Sequence, residues 1–463
     1  MSCKTWYTSM QKYNNNHSFD WDKPSLTGQC HLFRSVVSSD PDKFIKLLGD
    51  VVKSPDIPLA YAISGMQGLI DASRIEAAEY LLKEILIVID DNVNSSLRGF
   101  SLHSMLFALS DIVKEGNIPK SFFEFICYAL KNADETLVDD DYKEKDVYNK
   151  ALNLARGNAG YMLVECAECD QSEEYKEEIF RTLESIADAA SVYTRSAILL
   201  KMASLNLLDK NRNVSLFKML MHDFDPRLMA MPVHNYNPLV YFVNYAIDEI
   251  MEFLTHASNC PECYSEQVII LWLAWSHNNG DERVKVLLDK MCETSEEARI
   301  SLLNFLCTLG ERVNENAISY ILYFMESRFD SSEMGAACDN IFHNIKSWPE
   351  EMQYRIAHNF VSSALSTHKI SSFVKYLAGY AIKEPVQALV WLEQILVKNH
   401  PNDYSILNQI IDVIIQSYNG IKSFNDSSYQ NTLEHAMDLI DEIMQSPSDK
   451  FFIVNFINKL DNE

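Results

Sequence analysis

Two cysteine pairs have the spacing of a metal or redox site, and they are the sharpest chemical signal in the sequence. Cys166 stands three residues before Cys169, and Cys260 stands three residues before Cys263. Four thiolates in two such pairs make a tetrahedral zinc site, and His256, four residues before the second pair, adds another side chain of a suitable type. A CxxC pair can also serve thiol–disulfide exchange.

The same cysteines also have a structural interpretation, and we favour it. The chain between Cys169 and Cys260 is far longer than the loops that structural zinc sites usually close. Cys166 follows Tyr161 and Leu163 in a helical pattern, where a free cysteine packs as a small apolar side chain. Neither pair lies in a βαβ pattern of the thioredoxin type. We therefore expect no bound metal and no cofactor.

Motifs for phosphate binding and hydrolysis are absent from the sequence. None of the 13 glycines is followed by lysine, which excludes a Walker A loop, and no two glycines are two residues apart, which excludes a dinucleotide fingerprint. The sequence has neither an HExxH helix nor a GxSxG turn. We expect a protein that is not an enzyme, with no catalytic residues.

A segment rich in methionine and proline invites a binding interpretation. Methionine repacks against varied partners, so its exposed side chains suit an adaptable surface. The alternative, which we favour, is a loop that covers the core between two helical blocks. If the segment does bind a partner, the candidate contact residues are Phe224, Met229, Met231 and Tyr236.

The elements that carry these residues are predicted to be helices. Apolar residues recur at three- and four-residue spacing, and glycine and proline number only 13 each. Ser73 with Glu76, and Thr294 with Glu297, have the spacing of capping boxes. Predicted helix starts near Asp281, Asn314, Ser347 and Glu384 are about 33 to 37 residues apart, the period of two-helix repeats. We predict an all-α chain, an α-solenoid of degenerate helical hairpins forming a HEAT-like or TPR-like superhelix.

A cluster of prolines predicts where the helical array divides into domains. Residues 1–25 are polar and expected to be poorly ordered, although Trp6 could dock on the helices. A helical-repeat block follows at 26–221, then a proline-rich connecting loop at 222–238, where three prolines prevent a continuous helix. A second helical-repeat block is predicted at 239–463.

The charge of the chain restricts its partners. The formal net charge is −25, which argues against nucleic acid and against anionic membranes, because both are bound through cationic side chains. It fits a protein partner with a basic face, and self-association is a second option. The polar N-terminus has no apolar signal core, and the longest apolar stretch, Val268 to Trp275, is too short to span a bilayer. These features, with ten cysteines and no disulfide-scaffold pattern, predict a soluble cytoplasmic protein.

The order of several short motifs along the chain resembles the C-terminal helical-repeat regions of large bacterial STAND-type NTPases, including the antiviral Avs class. The resemblance covers about residues 18 to 420. The matching residues are Phe44, Tyr61, Gly68, Leu69, Asn153, Arg156, Gly157, Ala159, Val192, Arg195, Leu199, Asn206, Asp209, Phe217, Leu220, Asp225, Pro226, Arg227, Leu228 and His234.

In that family the helical array is a sensor that wraps a phage protein, such as a terminase or portal subunit, and triggers oligomerisation. This chain has no NTPase motif, so the resemblance implies the sensor portion or a stand-alone relative, and it transfers no binding residue. The residues alone predict a non-catalytic protein-recognition module. The alternatives are a general scaffold or peptide-binding adaptor, or a zinc-binding protein that uses the cysteine pairs.

Overall fold

The computed structural model describes residues 2–14, 25–90, 95–134, 147–170, 172–231, 237–277, 280–326, 329–398 and 404–424, together with residues 434 and 438. Within these ranges the chain forms α-helices, short 3₁₀ turns and loops, and no strand. The predicted all-α class is confirmed. Packing contacts divide the chain into two compact units, Met1–Cys263 and Tyr264–Glu463.

The first unit contains fifteen of the helices that the structure describes. They are α1 (Cys3–Lys12), α2 (Leu26–Ser39), α3 (Pro41–Val52), α4 (Leu59–Asp71), α5 (Ile75–Asp90), α6 (Ser95–Glu115), α7 (Lys120–Asn132), α8 (Val147–Leu152), α9 (Ala155–Glu165), α10 (Ser172–Ala187), α11 (Val192–Lys201), α12 (Lys210–Leu220), α13 (Pro226–Met229), α14 (Leu239–Phe242) and α15 (Ile247–Ala257).

The second unit contains the remaining described helices. They are α16 (Tyr264–His277), α17 (Glu282–Thr294), α18 (Glu296–Cys307), α19 (Glu315–Met325), α20 (Ser332–Asn344), α21 (Glu350–Ser362), α22 (Ser371–Tyr380), α23 (Pro385–Lys398) and α24 (Tyr404–Phe424).

Alternate helices of the second unit pack side by side, as expected for stacked hairpins. Helices α16, α18, α20, α22 and α24 follow one another in one layer, while α19, α21 and α23 follow one another in a second layer. Within each layer, successive helices bury a face against one another. This packing is consistent with the predicted helical repeat, and the α-solenoid with its superhelical curvature stays a prediction.

Close helix packing in the first unit depends on two glycines of α4. Helices α2 and α4 lie in contact, and Gly65 and Gly68 are three residues apart on the face that meets α2 and α3. A Cβ atom built on Gly68 would lie 2.6 Å from the carbonyl oxygen of Arg34, and one built on Gly65 would lie 2.1 Å from Leu48 Cδ2. The absence of side chains at both positions allows this approach.

Several predicted boundaries can be compared with the structure. The start of α17 has Asp281 as its N-cap, and the start of α19 has Asn314, as the sequence predicts. The predicted capping box at Thr294 is wrong by one residue, because Ser295 accepts the hydrogen bond from the Ala298 N–H. Ser73 is not an N-cap that starts α5. It follows α4 in a left-handed conformation, with φ of 56°.

The predicted domain limits stay predictions. Within the range 1–25, Cys3–Lys12 is helical and buries Trp6 and Met10, and residues 15–24 lie outside the described residues. The segment 222–238 belongs to the first unit, whose limit comes later, at Cys263. No helix of the described chain has both the length and the apolar content needed to cross a bilayer.

Candidate functional site

The first cysteine pair is buried at the C-terminal end of α9. The Cys166 thiol donates to the Met162 carbonyl at 3.1 Å, and the Cys169 thiol donates to the Val113 carbonyl at 3.5 Å. The hydrogen bond with Cys169, together with burial, raises the pKa of Cys166. The same hydrogen bond lowers the pKa of Cys169. Both thiols are satisfied by nearby groups of the same unit.

The second cysteine pair lies in the turn that follows α15. Cys263 is buried with its sulfur 3.8 Å from the Pro226 carbonyl oxygen, and the half-buried Cys260 donates to the Glu262 carboxylate at 3.1 Å. Burial, followed by hydrogen bonding to Glu262, raises the pKa of Cys260, and burial with the Cys260 hydrogen bond raises that of Cys263. Both shifts disfavour the thiolate form that thiol–disulfide exchange requires.

The predicted metal ligands do not assemble into a site. Among the described residues, no group of three or more His, Cys, Asp or Glu side chains is placed to hold a metal ion. His256 instead stacks on the Phe224 ring, with centroids 3.9 Å apart. The zinc hypothesis therefore finds no ligand set in the part of the chain that the structure covers.

The methionine-rich segment belongs to the core of the first unit. Met229 and Met231 are 7% and 2% exposed and lie with Phe217 and Phe253 around a space of only about 10 Å³. In this structure the two methionines offer almost no surface to a partner, and their role as contact residues stays a prediction. Phe224 is half-buried against His256, and Tyr236 lies outside the described residues.

A buried arginine holds this segment in place. The Arg195 guanidinium is bidentate with the Asp223 carboxylate, with both N–O distances 2.8 Å, and also donates to the Leu220 carbonyl at 2.8 Å. The Arg195 hydrogen bond lowers the pKa of Asp223 to about 2. The Tyr148 hydroxyl donates to the Leu228 carbonyl at 3.2 Å. These contacts hold the segment against the helices of the first unit.

An open groove in the second unit has the size and lining of a binding site, and sequence reasoning missed it. Its volume is about 500 Å³, within the range of ligand pockets. We call it the tyrosine groove. It lies between the start of α21, the end of α22, the turn before α21 and the turn after α22. Its lining residues are Lys346, Glu350, Glu351, Gln353, Tyr354, Tyr376, Gly379, Tyr380, Lys383 and Glu384.

Aromatic rings form one wall of the tyrosine groove. Tyr376 stacks on Tyr380 with centroids 5.7 Å apart, Tyr380 stacks on Trp391 at 5.3 Å, and Trp391 lies 5.3 Å from Tyr354. Trp391 is buried behind the tyrosines, whereas Tyr354 is 41% exposed. The hydroxyl of Tyr376 is buried and has no hydrogen-bond partner. The groove therefore contains a polar atom whose hydrogen-bonding capacity is unused.

Charged side chains line the edges of the tyrosine groove. Lys383 donates to Glu350 and lowers the pKa of that carboxyl group. Glu351 and Glu384 are exposed, and no ion pair among the described residues includes either of them. Burial, and then the charge of Glu384, raises the pKa of Tyr380 to about 12. The charge of Glu384 therefore adds a negative contribution at the Tyr380 hydroxyl, smaller than the effect of burial.

The local sequence explains why the tyrosine groove forms. Trp348 is buried beside the start of α21, and its carbonyl accepts from Gln353 Nε2 at 2.7 Å, which fixes the turn that carries Lys346. At the end of α22, Gly379 has no side chain, and a Cβ there would approach only Lys346 Nζ, at 3.9 Å. The lining contains stacking surfaces, carboxylates and ammonium groups but neither a cysteine nor a histidine. This arrangement suits binding.

The spacing of Tyr376 and Tyr380 signals a shared helix face in the sequence. Nothing in the sequence links that face to Tyr354, because the link depends on packing between successive repeats. Comparisons with protein-family models, with curated proteins and with solved structures each find no match to this chain.

Proposed function

We propose that this chain is a non-catalytic protein-recognition module that uses the tyrosine groove as a contact surface. The observation that carries the proposal is the open space of about 500 Å³ walled by three tyrosines. Tyrosine and tryptophan dominate the energetic centres of protein interfaces, because a large ring binds with little loss of conformational entropy. A neighbouring exposed side chain, Ile382, is 65% exposed and extends the apolar surface.

The architecture and charge support a protein partner. Stacked hairpins present successive turns along one edge, so a partner contacts several repeats together. The net charge of −25 favours a partner with a basic face and disfavours nucleic acid and anionic membranes. We place the protein in the cytoplasm, where ten unpaired cysteines stay reduced.

The resemblance to STAND-type sensor regions supplies the partner class to test first. The candidate partners are phage terminase and portal proteins, and the chain would act as the sensor part of an antiviral system. A general scaffold or peptide-binding adaptor is the alternative, in which the tyrosine groove holds a segment of a cellular protein. The two alternatives differ in the origin of the partner and share the same contact surface.

Site-specific photo-crosslinking tests the proposal. A photoreactive phenylalanine replaces Tyr354 in one variant and Tyr80, an exposed tyrosine of the first unit, in the control. Each variant is irradiated in cells with and without co-expressed terminase and portal proteins. We expect a cross-linked phage protein at position 354 and none at position 80. A cross-linked cellular protein at 354 would favour the adaptor, and no cross-linked protein at 354 under either condition would overturn the proposal.

Affinity measurements give a second test with the captured partner. Truncation of an interface anchor typically costs 2 kcal/mol or more, so Tyr354→Ala should weaken binding roughly 30-fold. Tyr80→Ala, which removes a ring of comparable exposure, should leave affinity unchanged. Equal effects of the two substitutions would remove the tyrosine groove from the contact surface.

A further inference from the structure

We propose that the tyrosine groove receives an arginine side chain of the partner, with the guanidinium lying on the tyrosine rings and bonded to the unpaired carboxylates. This inference rests on the proposed protein-recognition function and adds the chemistry of the group that is recognised. It is carried by the rings of Tyr354 and Tyr380, the carboxylates of Glu351 and Glu384, and the unpartnered Tyr376 hydroxyl.

The balance of charge in the tyrosine groove selects a cation. Three carboxylates and two ammonium groups line it. Glu350 and Lys383 neutralise each other, which leaves Glu351 and Glu384 against Lys346. An anion such as phosphate would meet two unpaired carboxylates against a single ammonium group, and like charges brought this close are costly. A guest cation restores neutrality.

The aromatic wall selects a flat cation. A cation over a tyrosine face is attracted by the quadrupole of the ring. The guanidinium group is planar, stacks on rings and is more weakly hydrated than an ammonium, so it loses less when it enters a partly buried space. Tyr354, which is 41% exposed, and the half-buried Tyr380 present such ring surfaces to the groove.

The hydrogen-bonding capacity of the tyrosine groove also matches arginine. Its guanidinium carries five N–H donors in a fixed fork, whereas lysine offers a single ammonium group. The two free carboxylates and the Tyr376 oxygen are acceptors among the lining residues. Tyr376 is only 3% exposed, so its unpaired hydroxyl is costly until a donor arrives. One guanidinium has enough N–H donors for both carboxylates and, once the Tyr376 side chain turns to expose its enclosed hydroxyl, for that oxygen as well.

Gly379 keeps the entrance open and provides a blocking variant. Its position in α22 is not left-handed, and a Cβ there meets only the mobile end of Lys346. Gly379→Leu is therefore compatible with the helix and fills the groove with a side chain. The matched control is Gly49→Leu in α3, where a Cβ meets nothing within 4 Å.

The test measures binding of a capped Gly-Arg-Gly peptide to the full chain by titration in an NMR experiment. The comparison peptides carry citrulline, a neutral shape mimic, or phosphoserine in place of arginine. We expect dissociation constants of about 1 mM for arginine, since a single anchored side chain yields roughly 4 kcal/mol, and at least tenfold weaker binding of the other two peptides. Citrulline binding as tightly as arginine, or phosphoserine binding more tightly, would overturn the inference.

Substitutions test whether the peptide binds in the tyrosine groove or merely through the negative charge of the protein surface. Gly379→Leu should abolish binding and Gly49→Leu should preserve it, with circular dichroism confirming that both variants are helical. The double variant Glu351→Gln with Glu384→Gln should weaken binding about tenfold. Lys346→Gln removes the competing ammonium and should tighten binding about threefold. Binding that survives Gly379→Leu unchanged would contradict the assigned place.

The outcome is distinguishable from failure of the proposed function. A protein cross-linked at position 354, combined with no arginine-dependent peptide binding, would refute the cation inference and leave protein recognition standing. Arginine-dependent binding that is blocked by Gly379→Leu, combined with no cross-linked protein, would support the cation site and overturn its use in protein recognition.

Discussion

Substitution of Gly68 by alanine should destabilise the first unit, although alanine is the better helix former. The new Cβ would lie 2.6 Å from the Arg34 carbonyl oxygen and 2.9 Å from Val37 Cβ, and real Cβ contacts below 3.0 Å are essentially never observed. The oxygen belongs to the backbone of α2, so relief requires the whole helix to move away. Overpacking of this kind costs about 1–3 kcal/mol, and the rigid neighbour places Gly68→Ala near the upper value.

The helical preference of alanine offsets about 1 kcal/mol of that cost, leaving a net destabilisation of about 2 kcal/mol. Gly49→Ala is the matched control, since its Cβ meets nothing within 4 Å, and it should stabilise α3 by up to about 1 kcal/mol. Gly65→Ala should cost less than Gly68→Ala, because its nearest neighbour is the flexible end of Leu48.

Native-state hydrogen exchange, read by mass spectrometry on peptides from α2 and α4, measures the opening free energy of this packing. We expect the values for Gly68→Ala and Gly49→Ala to differ by about 3 kcal/mol. Urea unfolding followed by circular dichroism provides the global measurement. A Gly68→Ala protein as stable as Gly49→Ala would refute the close-packing argument.

Three further predictions concern the buried arginine and the cysteines. Asp223→Asn leaves the Arg195 charge buried without its counterion and should lower the free energy of unfolding in urea by about 2 kcal/mol. This value is below that for fully buried pairs because Asp223 is partly exposed. An unchanged unfolding midpoint would contradict the prediction. Because the pKa of Asp223 is lowered to about 2, its contribution is complete above pH of about 4 and disappears as the pH falls through 2, so the stability gap between wild type and Asp223→Asn should close over that interval. Iodoacetamide should modify Cys3 and Cys260 before the eight buried cysteines. The rate of Cys260 modification should rise with pH above neutrality, because the pKa of this thiol is raised. Mass spectrometry that finds Cys263 modified before Cys260 would show that the pair is packed differently.

The helical architecture was predictable because its signals are local. Asp281 and Asn314 cap their helices through side-chain oxygens that accept a backbone N–H three residues or fewer ahead, and the sequence displays both residue types directly. The displaced cap at Ser295 shows the limit of such signals. Thr294 and Ser295 are both good N-cap residues, and the choice between them depends on where α17 ends.

The tyrosine groove was not predictable because its parts are distant in the sequence. Tyr354 lies on α21 and Tyr380 ends α22, and only the packing of α21 against α23 and the turn after α22 brings them near Trp391 of the next repeat. The burial of the methionine segment also depends on tertiary contacts. Composition indicates soft apolar side chains at Met229 and Met231, and their burial depends on packing around Phe217 and Phe253.

The alternating layers of the second unit have a consequence for how it folds. Every helix there packs on helices one or two places away along the chain, so the sequence separation between contacting residues stays short. Low contact order reduces the loop-closure entropy that must be overcome before native contacts form, and it is associated with fast folding. Hairpins can therefore add to a growing edge one after another, and under mechanical load the unit should lengthen in steps, each step releasing one hairpin.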